Sequence, residues 1–203
     1  MRMLAIDCAT EACSLALFQD GAVLAHCNEV LGRGHAERLV PLIGSLPDKG
    51  RADEIRVSLG PGSFTGVRIG LAAARALGLA WHARVRGYSS LALLAAGFHA
   101  HSSGPVSVSM NGGHGEWFVQ NFDDHALPQD EVRSLPPEEA LRAARHAAVI
   151  GNRAVNMVEI AGPGRTAIAA LPDARHARDL DEAVLTDLLT PIYGREPDAR
   201  LPS

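Results

Sequence analysis

The sequence predicts an α/β protein in which two unequal halves follow one another along the chain. First, Asp20-Gly21 separates two short apolar runs, as in the tight turns of β-hairpins. Second, the glycine-rich segment 60–66 joins an alternating run to a long helical pattern. Third, another hairpin pattern begins after Gly104-Pro105, so the order of elements starts again in the second half.

The first half is predicted to run to residue 102 and to alternate strands with helices. A helix is expected to begin at Gly34-His35, because apolar residues then recur every three or four positions. The helix from residue 67 to 82 has the strongest pattern in the chain, and Ser89 is a good N-cap for another at 89–100. Strands are predicted at 3–7, 14–18, 22–26, 55–59 and 84–87.

The second half, residues 103–203, is predicted to be a reduced copy of the first. It begins with strands at 106–110 and 116–122, followed by a helix at 136–145, a short strand at 148–150 and a final helix at 181–189. A third strand and a long second helix are missing from this prediction. The segment 191–203 contains three prolines and is predicted to be irregular.

Composition excludes several classes of function. The 203 residues are 47% hydrophobic, which is enough for a core, whereas a net charge of −4 with 4% aromatic residues disfavours direct binding of nucleic acid. No apolar run is long enough to cross a membrane or to act as a signal peptide, so a cytoplasmic protein is expected. Three cysteines without C-x-x-C spacing and nine histidines without an H-x-x-x-H pair predict no metal site.

The glycine-rich turn is the first candidate for chemistry, since such loops can cradle phosphate at a helix N-terminus. Its positions are Gly60, Gly62, Ser63, Thr65 and Gly66. Their spacing matches neither the Walker loop nor the dinucleotide fingerprint, and Ser63 lacks the flanking glycines of a nucleophile elbow. A tight turn whose helix is capped by Ser63 or Thr65 is therefore the favoured interpretation.

Asp7 is the second candidate, because it ends a buried strand and is followed four residues later by Glu11. Two carboxylates so placed could hold Mg²⁺. An aspartate that caps its own turn is the commoner arrangement and is favoured here.

The helix after Gly66 carries a nearly bare stripe, formed by Gly66, Gly70, Ala74 and Gly78. Each glycine inside a helix costs about 1 kcal/mol relative to alanine, so a neighbouring element should approach the stripe closely. The remaining faces are also mostly apolar and are broken only by Arg68 and Arg75. Such a helix is buried on more than one side, either wholly inside the protein or against a partner subunit.

Three groups of residues resemble the TsaB (YeaZ) family. They are Asp7-Cys8-Ala9-Thr10-Glu11-Ala12-Cys13-Ser14, Gly60-Pro61-Gly62-Ser63-Phe64-Thr65-Gly66-Val67-Arg68, and Pro191-Ile192-Tyr193 with Pro197-Asp198-Ala199. The second block is highly specific to the family, and the resemblance is strong over residues 1–90. It implies an actin/Hsp70-like (RNase H-like) α/β fold with two subdomains, 1–102 and 103–203, of which the second is reduced.

The resemblance also implies a function. The chain would be a non-catalytic scaffold that pairs with TsaD and activates it for threonylcarbamoyl transfer to adenosine 37 of tRNA. The ATPase TsaE would join this pair, tRNA would be met only within the complex, and the chain alone would form a homodimer. No intrinsic cofactor is implied, and ADP or ATP is expected only at the interface with TsaD.

Site residues follow from the same resemblance. The pairing surface would lie on the first two helices and include His35, Arg38, Leu39, Leu42, Val67, Arg68, Leu71, Ala72 and Arg75. Asp7, Thr10 and Ser14 would be a vestigial phosphate loop, and Asn111-Gly112-Gly113 departs from the Asp-Ala-Arg that relatives carry at the second hairpin. The alternative is an enzyme acting alone, either an ATP-binding hydrolase or a glycoprotease. The missing histidine pair disfavours the protease, and the short second half disfavours the hydrolase.

Overall fold

The computed structural model describes residues 1–194, so the predicted Pro197-Asp198-Ala199 segment lies outside the described residues. Ten strands and five α-helices follow one another along this part of the chain. The strands are β1 (Arg2–Asp7), β2 (Ala12–Gln19), β3 (Ala22–Val30), β4 (Glu54–Ser58), β5 (Arg84–Tyr88), β6 (Val106–Gly113), β7 (Glu116–Phe122), β8 (Arg133–Leu135), β9 (Ala148–Ile150) and β10 (Thr166–Ile168). The helices are α1 (His35–Ser45), α2 (Phe64–Trp81), α3 (Ser90–His99), α4 (Pro137–Ala143) and α5 (Ala154–Ala161).

The first sheet has the order β3-β2-β1-β4-β5. Its first three strands form an antiparallel meander, and β4 and β5 are parallel to β1. The predicted hairpin turn is confirmed, because Asp20 and Gly21 both have positive φ (50° and 82°), as a type I′ turn requires.

The second sheet repeats the first, because the order β8-β7-β6-β9-β10 has the same directions of pairing. The prediction that a third strand is missing was wrong: β8 is present but only three residues long. The strand β10 and the helix α5 were also missed, since each is short and has no cap signal. The second half thus repeats all five strands and the first two helices of the first half, mostly in shortened form, and within residues 1–194 it has no α-helix corresponding to α3.

The two sheets and the five α-helices form five layers, in the order α1 with α2, first sheet, α3, second sheet, and α4 with α5. Side chains alternate across β1, so Leu4 and Ile6 pack with α1 and α2, whereas Met3 and Ala5 pack with α3. The helix α3 also contacts the second sheet, whose other face is covered by α4 and α5. Three apolar clusters hold these layers together: one on the outer side of each sheet, and one around α3 that contacts both sheets.

The end of the described chain returns to the first half. We call residues 173–194 the C-terminal strap. Its Ala174 N–H donates to Ser14 Oγ (2.9 Å), Thr186 exchanges two backbone hydrogen bonds with Gly87, and Ile192 N–H donates to the Leu59 carbonyl. The helix predicted at 181–189 is wrong, because only a 3₁₀ turn at Glu182–Val184 forms before the chain extends to pair with β5. The predicted boundary at residue 102 stays a prediction.

Within residues 1–194, no helix is both long enough and apolar enough to span a lipid bilayer.

Candidate functional site

The glycine-rich turn packs α2 against the loop between β1 and β2. A side chain on Gly66 would place its Cβ 2.0 Å from the Cys8 carbonyl oxygen, and one on Gly62 would lie 2.0 Å from the Ala9 carbonyl oxygen. Ser63 Oγ accepts the Gly66 N–H at 3.2 Å and so caps the helix. The turn prediction is confirmed, with Ser63 as the cap, and the helix N-terminus lies tightly against the first hairpin.

The bare stripe of α2 faces the molecule's own first sheet. Gly66, Gly70, Ala74 and Gly78 are all buried, and a Cβ on Gly78 would meet Val85 Cγ2 at 2.4 Å. The first sheet therefore covers one apolar side of α2, and it does not cover the opposite side.

The opposite side of α2 is exposed and lies beside the exposed side of α1. We call this surface the pairing face, formed by Ala36 and Val40 of α1 with Ala72, Ala76 and Leu79 of α2. Leu79 is 81% exposed and Val40 is 66% exposed. The two helices contact one another on the same side of the first sheet, so their exposed sides are neighbours.

An aromatic cluster lies at the N-terminal end of α2. The ring of Phe64 stacks on Tyr193 of the strap with centroids 5.7 Å apart, and the Arg68 guanidinium carbon lies 3.5 Å from the Phe64 centroid. Both rings are exposed. The sequence did not indicate that Phe64 is a surface residue, because Phe64 is part of the glycine-rich turn motif.

The predicted phosphate loop is engaged in internal hydrogen bonds. Asp7 is 1% exposed; its Oδ1 accepts from Ala9 N–H and its Oδ2 accepts from the Ser90 hydroxyl, both at 2.9 Å. Ser14 Oγ accepts from Ala174 N–H, and Thr10 Oγ1 accepts from Ala12 N–H at 3.2 Å. Asp7 therefore caps its own turn, as the favoured interpretation expects.

Burial of Asp7 changes its acidity. Loss of solvent raises the pKa of the carboxyl from 3.8 to about 6, and the hydrogen bonds from Ala9 and Ser90 oppose this rise only partly. Both oxygens of this carboxyl already accept hydrogen bonds inside the protein.

A cleft of about 440 Å³ separates the two halves beside this loop. It is lined by Thr10 and Glu11 from the first half and by residues 111–114 and Asn152 from the second. Asn152 Nδ2 donates to the Glu11 carboxylate at 3.2 Å, and its Oδ1 accepts from Asn111 N–H. Glu11 thus places negative charge in the cleft, which disfavours phosphate there. Among residues 1–194, no group of three or more acidic, histidine or cysteine side chains is placed to hold a metal ion.

Comparison with known families gives a match to the family model described as TsaD, tRNA N6-adenosine threonylcarbamoyltransferase, over residues 28–183. The "tRNA threonylcarbamoyladenosine biosynthesis protein TsaB" of Escherichia coli (strain K12) is 44% identical over 102 residues, which are 48% of this chain and 44% of that protein. The solved structure "YeaZ from Pseudomonas aeruginosa" superposes with a TM-score of 0.77 at 27% identity, and the match covers 95% of this chain and 99% of that one.

The chain belongs to this threonylcarbamoyltransferase family, in its TsaB (YeaZ) group. The matched segment spans about half the length of the curated TsaB relatives from Escherichia coli and Haemophilus influenzae. EutJ from Carboxydothermus hydrogenoformans, at 9% identity and a TM-score of 0.53, shares the fold alone. The prediction of a two-part actin-like α/β fold of the TsaB family is confirmed.

The TsaB resemblance predicts nine pairing residues, and the structure divides them into two sets. Arg38, Ala72, Arg68 and Arg75 are exposed. The other five lie in the interior, so they support the helices from below and form no outer surface: His35, Leu39, Leu42, Val67 and Leu71. His35 Nε2 lies 3.2 Å from the Ala12 carbonyl oxygen, a contact that ties α1 to the first sheet.

The sequence-based set of pairing residues missed four exposed apolar residues of the pairing face, namely Ala36, Val40, Ala76 and Leu79. A helical wheel could have found two of them, because 72, 76 and 79 share one face at spacings of four and three. The wheel alone does not tell which side of α2 points outward. That is known only once the glycine stripe is seen to face the sheet.

Proposed function

We propose that this chain is a non-catalytic cytoplasmic subunit that pairs with a TsaD partner and supports threonylcarbamoyl transfer to adenosine 37 of tRNA. The observation that carries the proposal is the pairing face. Its Leu79 is 81% exposed, while the opposite side of the same helix is already covered by the first sheet. Apolar helical surfaces of this kind mark protein interfaces. The process, biosynthesis of tRNA threonylcarbamoyladenosine, is taken from the names of the TsaB relatives.

The proposal of a non-catalytic role rests on the phosphate loop. Asp7, Thr10 and Ser14 use their oxygens to hold the first hairpin and the strap, and Glu11 brings negative charge to the cleft. We propose accordingly that nucleotide, if part of the system, binds where this chain meets TsaD. In the complex TsaE would supply ATP hydrolysis, and tRNA would contact the chain only through its partners.

Replacing Ala72 with glutamate is expected to abolish pairing with purified TsaD, because the substitution buries a charge at the centre of the pairing face. Size-exclusion chromatography with light scattering measures co-elution, and circular dichroism checks the fold. Val155→Glu on α5 is the matched control, since Val155 is an exposed apolar helical residue on the far side of the molecule. Co-elution of the Ala72→Glu variant at the wild-type level would contradict the pairing face.

Leu71→Glu is unsuitable for this test, although sequence analysis places Leu71 on the pairing surface. Leu71 is only 4% exposed, so a charge there would disturb the core rather than the interface.

Reconstituted tRNA modification tests the process itself. Formation of threonylcarbamoyladenosine, measured by chromatography of digested nucleosides, is expected to require both this chain and TsaD. The Ala72→Glu variant is expected to lose this activity together with pairing. Modification that proceeds at the full rate without this chain would refute the proposed role.

Calorimetry with ATP and Mg²⁺ distinguishes the non-catalytic subunit from the alternative, an ATP-binding hydrolase that acts alone. The isolated chain is expected to show no binding at micromolar concentrations, because Glu11, held by Asn152, places a carboxylate in the lining of the cleft beside the loop. Micromolar binding, or hydrolysis by the chain alone, would instead support an ATP-binding hydrolase.

A further inference from the structure

The outward side of α2 carries positive charge without any negative charge. Arg68 and Arg75 lie seven residues apart, about 10 Å along the helix, and none of the 18 residues of α2 is acidic. Ala72 and Ala76 lie between and beside them on the exposed side. The α2 part of the pairing face is therefore an apolar surface of Ala72, Ala76 and Leu79 with two guanidinium groups along it, on a chain whose net charge is −4.

Both guanidinium groups bind neutral acceptors. Arg68 Nη2 donates to the Tyr193 hydroxyl at 3.2 Å, and Arg75 Nη2 donates to the Leu189 carbonyl at 2.8 Å. Neither has a carboxylate within 4.0 Å among residues 1–194. An arginine has five N–H donors, so each retains several for another molecule.

Some other exposed arginines of the chain are paired with carboxylates. Arg38 binds Glu29 through both carboxylate oxygens, and Arg84 binds Asp187 in the same way. Arg33, Arg51 and Arg133 are also exposed without a carboxylate partner within residues 1–194. Arg68 and Arg75 differ from these by their place, since their contacts with the strap hold them beside the pairing face.

We propose that the partner presents carboxylates opposite Arg68 and Arg75, flanking an apolar helical surface that packs on Ala72 and Ala76. This inference rests on the proposed function and adds the chemistry of the partner's surface to it. Arginine–carboxylate pairs at the edge of an interface steer association and fix its register. The strap acts as a positioning element, because Leu189 and Tyr193 orient the two side chains before the partner arrives.

A second copy of this chain fits the charge pattern less well. In a homodimer that brings the α2 helices of two copies together, two helices that carry only positive charge would approach each other. Such juxtaposition is unfavourable, whereas an acidic partner gains from it. RNA also fits less well, because the exposed methyl groups of Ala72 and Ala76 offer nothing to phosphates or sugars.

Charge reversal tests the inference. Binding of purified TsaD is measured by calorimetry at 50 mM and 500 mM NaCl. The wild-type dissociation constant is expected to rise with salt, Arg75→Glu to weaken binding by about tenfold or more at low salt, and Arg75→Lys to retain most of the affinity. Arg142→Glu on α4 is the matched control, since Arg142 is exposed, lies in another helix and changes net charge equally.

The outcomes separate this inference from the proposed function. Normal, salt-independent pairing by both Arg68→Glu and Arg75→Glu, with pairing lost in Ala72→Glu, would overturn the acidic-partner inference alone. Normal pairing by all three variants would overturn the pairing face as well. Unchanged TsaD pairing with weaker tRNA binding by the complex would assign the arginines to RNA and overturn the inference.

Discussion

Replacing Gly66 with alanine is expected to destabilise the protein by at least about 3 kcal/mol. The added Cβ would lie 2.0 Å from the Cys8 carbonyl oxygen, which is a backbone atom held by the first hairpin. Relief of this overlap requires the start of α2 or the turn after β1 to move, and the Ser63 cap would then be lost. Urea unfolding at 25 °C measures the change in the denaturation midpoint.

Gly70→Ala is the matched control, one helical turn further along the same stripe. A Cβ there would lie 3.6 to 3.8 Å from its nearest neighbours, Cys8, Ile6 and Val57, which is ordinary van der Waals contact. Because alanine is a better helix former than glycine, this variant is expected to gain up to about 1 kcal/mol of stability. Equal effects of the two substitutions would show that helix propensity, and not the close approach at Gly66, decides the outcome.

Asp7 is expected to make the folded state less stable as pH rises from about 4 to above 6. Burial raises the pKa of its carboxyl from 3.8 to about 6, so the folded state holds a proton that the unfolded chain has released. The stabilisation by protonation is complete below pH 3.8 and is lost as pH rises through about 6. The shift corresponds to about 3 kcal/mol between the two limits.

Asp7→Asn isolates this effect, since the amide cannot ionise and its oxygen can still accept from Ala9 N–H. Relative to wild type, the variant is expected to be more stable at pH 7.5 and to lose that advantage towards pH 4. Urea unfolding of both proteins at pH 4.5, 6 and 7.5 gives the difference directly. A stability difference that does not change with pH would refute the raised pKa.

Strongly patterned segments of the fold could be predicted from the sequence. The Asp20-Gly21 hairpin, the parallel strands beside β1 and the long α2 each combine a regular apolar period with clear turn or cap signals. The strands β8 and β10 have only three residues each, too few to show a period. The segment at 181–189 shows a helical period, but its backbone instead pairs with Gly87, a long-range contact invisible to local propensity.

The candidate site was predictable in location but not in detail. The family motif indicates α1 and α2, yet which side of each helix is outward depends on how the sheet packs below. Gly66 and Gly78 mark the inward side of α2, but this is known only once the structure shows Cys8 and Val85 lying against them. Arg68 and Arg75 bind strap residues more than 110 positions away in the chain. No local sequence pattern predicts contacts over such a distance.

The strap has a consequence for synthesis of the protein on the ribosome. Ala174 bonds to Ser14 across 160 residues, and Ile192 completes the bonding of Leu59. The first sheet therefore emerges early, but the part of its inner face that α3 leaves uncovered waits for the strap. At about 5–20 residues per second this interval lasts on the order of ten seconds. During that time the nascent chain exposes surface on which chaperones can act.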